Sequence, residues 1–160
     1  MERERRPVYV IADNIRSLHN IGSLFRTCDA CGVRKLYLCG ISGKPPRKEI
    51  SKTAVGAENN VPWEYHADIL TVLKHFRSEN IPVLALEHTE TSRHFQKTTY
   101  PFPLCLILGN EVEGISEEAL DYADIAVEIP MFGIKQSLNV SVAAGVMLYE
   151  LLRQLDTRHE

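Results

Sequence analysis

The chain has 160 residues and a formal net charge of −3, from 18 basic and 21 acidic side chains. This length fits a single domain, residues 1–160, which can bury a core without disulfide or metal support. The start, MERERRPVYV, lacks the apolar run of an export signal, and no segment is long enough to span a membrane. Because the four cysteines also lack paired spacing, we expect a cytoplasmic protein.

Apolar strands and amphipathic helices alternate along the chain. The first half of the chain predicts a strand at 8–11, a helix with Ile21, Leu24, Phe25 and Cys28 on its apolar face that ends at Gly32, a strand at 36–39 and an extended segment at 63–66. A helix capped by Asp68 follows, with Ile69, Leu70, Leu73 and Phe76 on its apolar face. The second half predicts strands at 83–86 and 104–108, a short helix opened by Ser116, a strand at 125–129 and a helix from about Ser137 to Leu155. The polar stretches 42–49 and 87–99 are predicted to be loops. This alternation is typical of an α/β domain with a mainly parallel sheet.

Polar segments follow four of the predicted strands. They span residues 12–20, 87–90, 109–114 and 130–139. Since ligands of α/β domains bind at the carboxyl ends of the strands, we expect these segments to form one site.

Several familiar chemistries lack their motifs. There is no GxGxxG, GxxxxGK[ST] or GxSxG, which argues against dinucleotide, P-loop and α/β-hydrolase sites. Cys28 and Cys31 form a lone CxxC that suits a core better than zinc, and the histidines show no metal-ligand spacing. His19 is the histidine nearest to the suspected site, where we expect an exposed loop residue.

Five polar residues in or beside these segments are candidates for catalysis, and four of them also have a simpler explanation. Arg26 can bind a phosphate through two parallel hydrogen bonds, or form an exposed ion pair. Glu111 can accept hydrogen bonds from a ligand, or serve a turn. Asn20 and Ser137 can cap helices, and Asn139 lies beside Ser137 at the same helix start.

Basic residues are clustered despite the acidic balance. One cluster is Arg3, Arg5 and Arg6, and the other is Lys44, Arg47, Lys48 and Lys52. Each fits a solvated surface or a phosphate-binding patch equally well, although the net charge argues against RNA binding by bulk charge.

Three segments in series resemble the sequence motifs of the SpoU/TrmH family of RNA ribose methyltransferases, within the SPOUT superfamily. The first is NxGxxxR at residues 20–26, the second is LILGNEVEGIS at 106–116, and the third is IPMFGIKQSLNVSVAAGVMLYEL at 129–151. KTAVGAE, at 52–58, is similar to a segment found between the first two motifs.

The resemblance implies an α/β domain with a SPOUT-type mainly parallel sheet flanked by helices, and a deep trefoil knot in its C-terminal part. It implies S-adenosylmethionine as cofactor, no metal, and a homodimer formed by the first-motif helix and the last helix. The implied cofactor contacts are Leu86, Glu87, Gly109, Asn110, Ile129, Met131, Ser137 and Leu138. Arg26 would be the central catalytic residue, within or across protomers, with Asn20, Glu111, Ser137 and Asn139 holding it, the ribose and the cofactor in register.

The activity implied is methylation of a ribose 2′-hydroxyl in RNA, with tRNA favoured and rRNA as the alternative. A knotted RNA-binding protein without catalysis, and an unknotted domain for a small metabolite, are the competing hypotheses.

Overall fold

The computed structural model describes residues 3–158. The strands are β1 (Arg6–Asp13), β2 (Val33–Cys39), β3 (Trp63–His66), β4 (Val83–Leu86), β5 (Arg93–His94), β6 (Leu104–Leu108) and β7 (Ile125–Glu128). The helices are α1 (Leu18–Ala30), α2 (Lys48–Ala54), α3 (Ile69–Ser78), α4 (Glu117–Tyr122) and α5 (Val140–Thr157), with 3-10 turns at Ala57–Asn59 and Phe95–Lys97.

All seven strands form one sheet in the order β3-β2-β1-β6-β4-β7-β5, and every neighbouring pair is parallel. Val10 of β1 is in register with Leu36 of β2 on one side and with Leu106 of β6 on the other. The prediction of a mainly parallel sheet flanked by helices is confirmed.

Each face of the sheet is covered by its own helices. Alternate residues of β1 and β6, such as Val10 and Leu106, pack with α1, α2 and α5, whereas Ile11 and Ile107 pack with α3 and α4. The central strands are therefore apolar on both faces, as buried parallel strands are. All four cysteines are buried and free, and burial raises the pKa of Cys31 to about 11. Cys28 belongs to the core, as predicted.

Several boundaries differ from the sequence predictions. The predicted loop at 42–49 ends in α2, which begins at Lys48, and the predicted loop at 87–99 contains β5 and a 3-10 turn. The last helix begins at Val140, not near Ser137, because Asn139 provides the cap: its Oδ1 accepts from Ser141 N at 2.9 Å. The last strand ends at Glu128, one residue before the predicted end.

The first helix begins earlier than Asn20. Ser17 is the N-cap, and its Oγ accepts from Asn20 N at 3.2 Å, so Asn20 lies in the first turn with its side chain free for other contacts. His19 is exposed as expected, but it lies on this helix rather than in a loop. The stop at Gly32 and the cap at Asp68 are confirmed.

Helices α1 and α2 touch at Gly22. A Cβ there would lie 2.0 Å from Thr53 Oγ1 and 2.3 Å from the carbonyl oxygen of Ile50, so only glycine permits this approach. We expect Gly22→Ala to lower the free energy of unfolding by about 1–3 kcal/mol, measured by urea denaturation. The matched control is Gly145→Ala in α5, where a Cβ meets only Thr27 Cγ2 at 3.8 Å and helix propensity favours alanine by about 1 kcal/mol. Equal stability of Gly22→Ala and the parent would contradict the close approach.

Within residues 3–158, no helix is long and apolar enough to cross a bilayer.

Candidate active site

The carboxyl ends of the central strands open onto a cavity of about 1080 Å³. Three of the four predicted polar segments line it: the residues after β4, after β6 and after β7. All the residues expected to contact a cofactor are in the lining, namely Leu86, Glu87, Gly109, Asn110, Ile129, Met131, Ser137 and Leu138. The predicted convergence is confirmed for these three segments, whereas the fourth, residues 12–20, does not line the cavity and is joined to it through hydrogen bonds to Glu111.

A hydrogen-bonded chain connects the three motif segments beside this cavity. Glu111 Oε1 accepts from Asn20 Nδ2 at 3.1 Å, and Asn20 Oδ1 accepts from Asn139 Nδ2 at 3.2 Å. Asn139 then caps α5 through Ser141. Three of the five predicted catalytic residues are thereby brought together, and Glu111 and Asn139 also line the cavity.

Glu111 acts here as an acceptor for the start of α1. Its Oε2 accepts from Arg16 N at 3.2 Å and its Oε1 from Ser17 N at 3.1 Å. Partial burial by itself would raise the pKa of Glu111, but hydrogen bonds from backbone N–H groups and from Asn20 outweigh it and hold the pKa below its ordinary value. Glu111 is therefore an ionised anchor at neutral pH rather than a proton donor.

The loop between β6 and α4 is closed on itself. Asn110 N donates to the carbonyl of Gly114 at 3.0 Å, Gly114 N donates back at 2.9 Å, and Asn110 Oδ1 accepts from Val112 N and Glu113 N. Gly114 has a φ of +73°, which a glycine adopts without strain. The side chain of Asn110 is thus occupied within the protein, because its Nδ2 also donates to the carbonyl of Asn14 at 2.7 Å. The loop presents its backbone to the cavity.

Glu87 supports the same loop from the neighbouring strand. Its Oε2 accepts from Ile115 N at 2.7 Å, and a Cβ at Gly114 would lie 2.4 Å from that oxygen. At the mouth of the cavity, Nδ1 of the exposed His88 contacts a carboxylate oxygen of Glu128. Four of the lining side chains are glutamates and one is a lysine, so the cavity favours a cationic ligand. They are Glu87, Glu111, Glu113, Glu128 and Lys135.

The family model described as the SpoU rRNA Methylase family matches residues 7–149. The chain belongs to this family. A tRNA (guanosine(18)-2'-O)-methyltransferase of Thermus thermophilus is 37% identical over 153 residues, which cover 95% of this chain and 78% of that protein.

Solved structures agree with this assignment. The A. aeolicus TrmH/SpoU tRNA modifying enzyme has a TM-score of 0.88 at 35% identity, covering 98% of this chain and 79% of that one. An AdoMet-bound rRNA methyltransferase from Sinorhizobium meliloti has a TM-score of 0.87 at 28% identity, covering 96% and 59%. The resemblance inferred from the three motifs is confirmed.

Two predicted catalytic residues of this SpoU-family chain stand apart from the network. Ser137 lines the cavity, but it is exposed in the loop before α5 and does not cap the helix. Arg26 lies on α1 outside the cavity lining, and its side chain is exposed. Within residues 3–158, no hydrogen bond or ion pair engages its guanidinium, so the exposed ion pair considered as its alternative role is not formed.

Sequence reasoning overlooked Asp13. This carboxylate is 2% exposed at the end of β1, and its Oδ2 accepts from both Ser116 N at 3.0 Å and Ser116 Oγ at 3.1 Å. Asp13 thereby fixes the far end of the β6–α4 loop, and the Ser116 hydroxyl donates to Asp13 and makes no capping hydrogen bond to α4. A charged residue ending an apolar strand was the signal that could have identified it.

Among the residues described, no group of histidine, cysteine, aspartate and glutamate side chains has an arrangement that could hold a metal ion.

Proposed function

We propose that this protein transfers a methyl group from S-adenosylmethionine to a ribose 2′-hydroxyl of RNA. The observation that carries the proposal is the chain Glu111–Asn20–Asn139, which ties the three motif segments together beside a cavity. The Thermus relative is named for the same type of transfer, and the Sinorhizobium structure contains the same donor.

The cavity suits this cofactor in size and in charge. About 1080 Å³ is slightly above the usual range of volumes of small-molecule sites, which leaves room for a cofactor together with part of a second substrate. The cofactor carries a sulfonium and an ammonium group, which the glutamates of the lining favour. Leu86, Ile129, Met131 and Leu138 supply apolar walls. Ser137 and Glu87 complete the set we assign to cofactor binding.

When bound, the cofactor supplies a methyl group activated by its sulfonium. The protein must then position the ribose oxygen and help its proton to leave. Glu111 is unsuited to take that proton, because its lowered pKa makes it a weak base. We assign Glu111, Asn20 and Asn139 to positioning and Ser137 to the mouth of the site.

Arg26 is assigned to the phosphate beside the reacting ribose. Its guanidinium cannot serve as a free base because its pKa is too high, but it can hold a phosphate through two hydrogen bonds. Since Arg26 lies outside the lining of its own cavity, we infer that it serves the cavity of a second protomer.

We propose a homodimer, which the surface of α5 supports. Val142, Val146 and Tyr149 are 51%, 38% and 57% exposed and share one helical face, at spacings of four and three residues. This stripe adjoins α1, which packs against α5 near Gly145 and Thr27. A second copy would bury it and would bring Arg26 near the cavity of its partner.

We expect the double substitution Val142→Lys and Val146→Lys to convert a dimer into a monomer, because it places charges in the buried centre of the interface. Sedimentation velocity measures the change. Ile41→Lys, at a position 62% exposed outside α5, is the matched control and should leave the dimer intact. A double variant that sediments like the parent would remove α5 from the interface.

We favour tRNA as the substrate because the Thermus relative is named for tRNA. We place this activity in the cytoplasm. The trefoil knot stays a prediction from the family resemblance. The test is transfer of a labelled methyl group to unmodified tRNA and to rRNA, followed by nucleoside analysis for a 2′-O-methyl product. Transfer to rRNA alone would correct the substrate, and binding of RNA without transfer to either would favour the non-catalytic alternative.

A further inference from the structure

A basic surface lies beside the site. It consists of Arg16, Lys44, Arg47, Lys48 and Lys52, and we call it the α2 basic surface. All five side chains are exposed, and residues 44–52 hold four basic side chains and one acidic one in a protein whose net charge is −3. The acidic one, Glu49, faces Arg47 at 3.7 Å. Lys48 and Lys52 form no ion pair within the part of the chain that the structure describes.

This surface continues from the cavity through direct contacts. Glu111, in the cavity lining, holds the backbone of Arg16 and Ser17. The next residue, Leu18, packs so closely that a Cβ at Gly43 would lie 2.2 Å from its Cδ2. Lys44 follows Gly43 in the chain, and α2 begins a few residues later, at Lys48. The loop from β2 to α2 leaves the carboxyl edge of the sheet, which is the edge where the cavity opens.

The Lys44 side chain and the helix that carries Lys48 and Lys52 are held in place. Lys44 Nζ lies 4.4 Å from the ring centroid of Tyr65, whose hydroxyl donates to the carbonyl of Gly40 at 2.7 Å. Lys48 and Lys52 are four residues apart on α2, and so share one face. That helix is fixed against α1 at Gly22. The charges are therefore presented on a rigid support next to the helix that carries Arg26.

The second basic cluster differs in both place and partners. Arg5 donates to the carbonyls of Val33 and Asn60, and Arg6 forms an ion pair with Asp156. Both arginines lie at the amino end of β1, on the sheet edge opposite the cavity. Their guanidinium groups support the fold there.

We propose that the α2 basic surface binds the phosphates of the RNA strand that leads into the cavity. Closely spaced lysines without ion pairs, as Lys48 and Lys52 are here, attract a phosphate backbone, and an acidic protein can still bind RNA through such a local surface. The inference rests on the proposed function, because the RNA is the strand whose ribose is to be methylated. The arginines at the start of β1 take no part.

The test compares Lys48→Ala/Lys52→Ala with the parent in binding to a fluorescein-labelled, unmodified tRNA transcript over a range of salt concentrations. We expect the slope of log affinity against log salt to fall by about 1–2, and tRNA affinity at about 0.1 M salt to fall roughly tenfold or more. Affinity for S-adenosylhomocysteine, and the rate of methyl transfer at saturating tRNA, should not change. The matched control is Lys74→Ala/Lys97→Ala, with two exposed lysines on α3 and beside β5, away from this surface. It should retain the slope and the affinity of the parent.

Two outcomes would overturn the inference. One is a salt slope and tRNA affinity of Lys48→Ala/Lys52→Ala equal to those of the parent, as expected if this surface binds an acidic protein instead. The other is an equal loss in the control, which would mean that only total charge matters. Both leave the proposed function standing as long as the parent methylates RNA. A parent that binds tRNA with the predicted dependence on Lys48 and Lys52 but transfers no methyl group would reject the proposed function alone.

Discussion

Arg26→Ala is expected to lower the rate of methyl transfer by roughly 10³-fold while leaving the affinity for S-adenosylhomocysteine unchanged. The two effects separate because Arg26 is exposed on α1 and does not line the cavity. Its loss removes a cation from the phosphate beside the reacting ribose without disturbing the cofactor walls or the core. Calorimetry and a labelled-methyl transfer assay measure the two quantities. Arg26→Lys retains the charge but not the paired donors, so it should recover only a small part of the rate.

Arg26 in one protomer is also expected to serve the cavity of the other. Mixed dimers of Arg26→Ala with Gly109→Val test this. A side chain at Gly109 would lie 2.4 Å from both Gly114 C and Ile115 N, so Gly109→Val disrupts the cavity loop. If Arg26 acts across the interface, the mixed dimer combines the intact cavity of one protomer with the intact Arg26 of the other and is active. The two homodimers, Arg26→Ala and Gly109→Val, are then inactive. An inactive mixed dimer places Arg26 and its cavity in one protomer. Full activity of Arg26→Ala itself would remove the residue from the mechanism.

The sheet and the location of the site could be predicted because they depend on local patterns. Apolar strands such as Leu104–Leu108 are buried on both faces, and parallel strands place their following loops on one edge. The family motifs then identified the residues that tie these loops together. Asn20, Glu111 and Asn139 come from three distant segments, yet they form one connected chain.

The starts of the first and last helices could not be predicted because several polar residues compete for the same cap. Ser17 precedes the first helix and Asn20 lies in its first turn, while Ser137 and Asn139 both precede the last helix. Only the tertiary contacts decide: Asn20 is needed by Glu111 and Asn139, so Ser17 takes the cap.

The role of Asp13 likewise depends on a contact 103 positions away in the sequence, with Ser116. No local pattern contains such information. The short α2 was missed because only Ile50 and Ala54 of its seven residues are buried, which is too weak a period to separate it from a loop.

Glu111→Gln is expected to lower the rate of methyl transfer roughly 10²-fold, although the two side chains have nearly the same shape. Three donors converge on this carboxylate: Arg16 N, Ser17 N and Asn20 Nδ2. A glutamine presents an NH₂ group to at least one of them, which leaves that donor unpaired and releases the start of α1. The matched control is Glu118→Gln, an exposed glutamate on α4 that lies outside the cavity lining. It should change the rate by no more than about twofold.

A dependence on pH distinguishes this anchoring role from a role in proton transfer. The pKa of Glu111 is lowered in the folded protein from its ordinary value of 4.5. Its hydrogen bonds therefore stabilise the fold fully at pH values above 4.5, and this stabilisation is lost as the pH falls through the lowered pKa. The difference in unfolding free energy between the parent and Glu111→Gln should therefore be full at pH 7 and shrink in acid. Single-turnover rates of Asn20→Ala, Glu111→Gln and the double variant complete a cycle. If Glu111 acts through Asn20, the double variant loses less than the two single losses combined. Two results would make Glu111 a participant in proton transfer instead. One is that the losses of the two single variants add up in the double variant. The other is a titration in the pH–rate profile of the parent, between pH 6 and 8, that the profile of Glu111→Gln lacks.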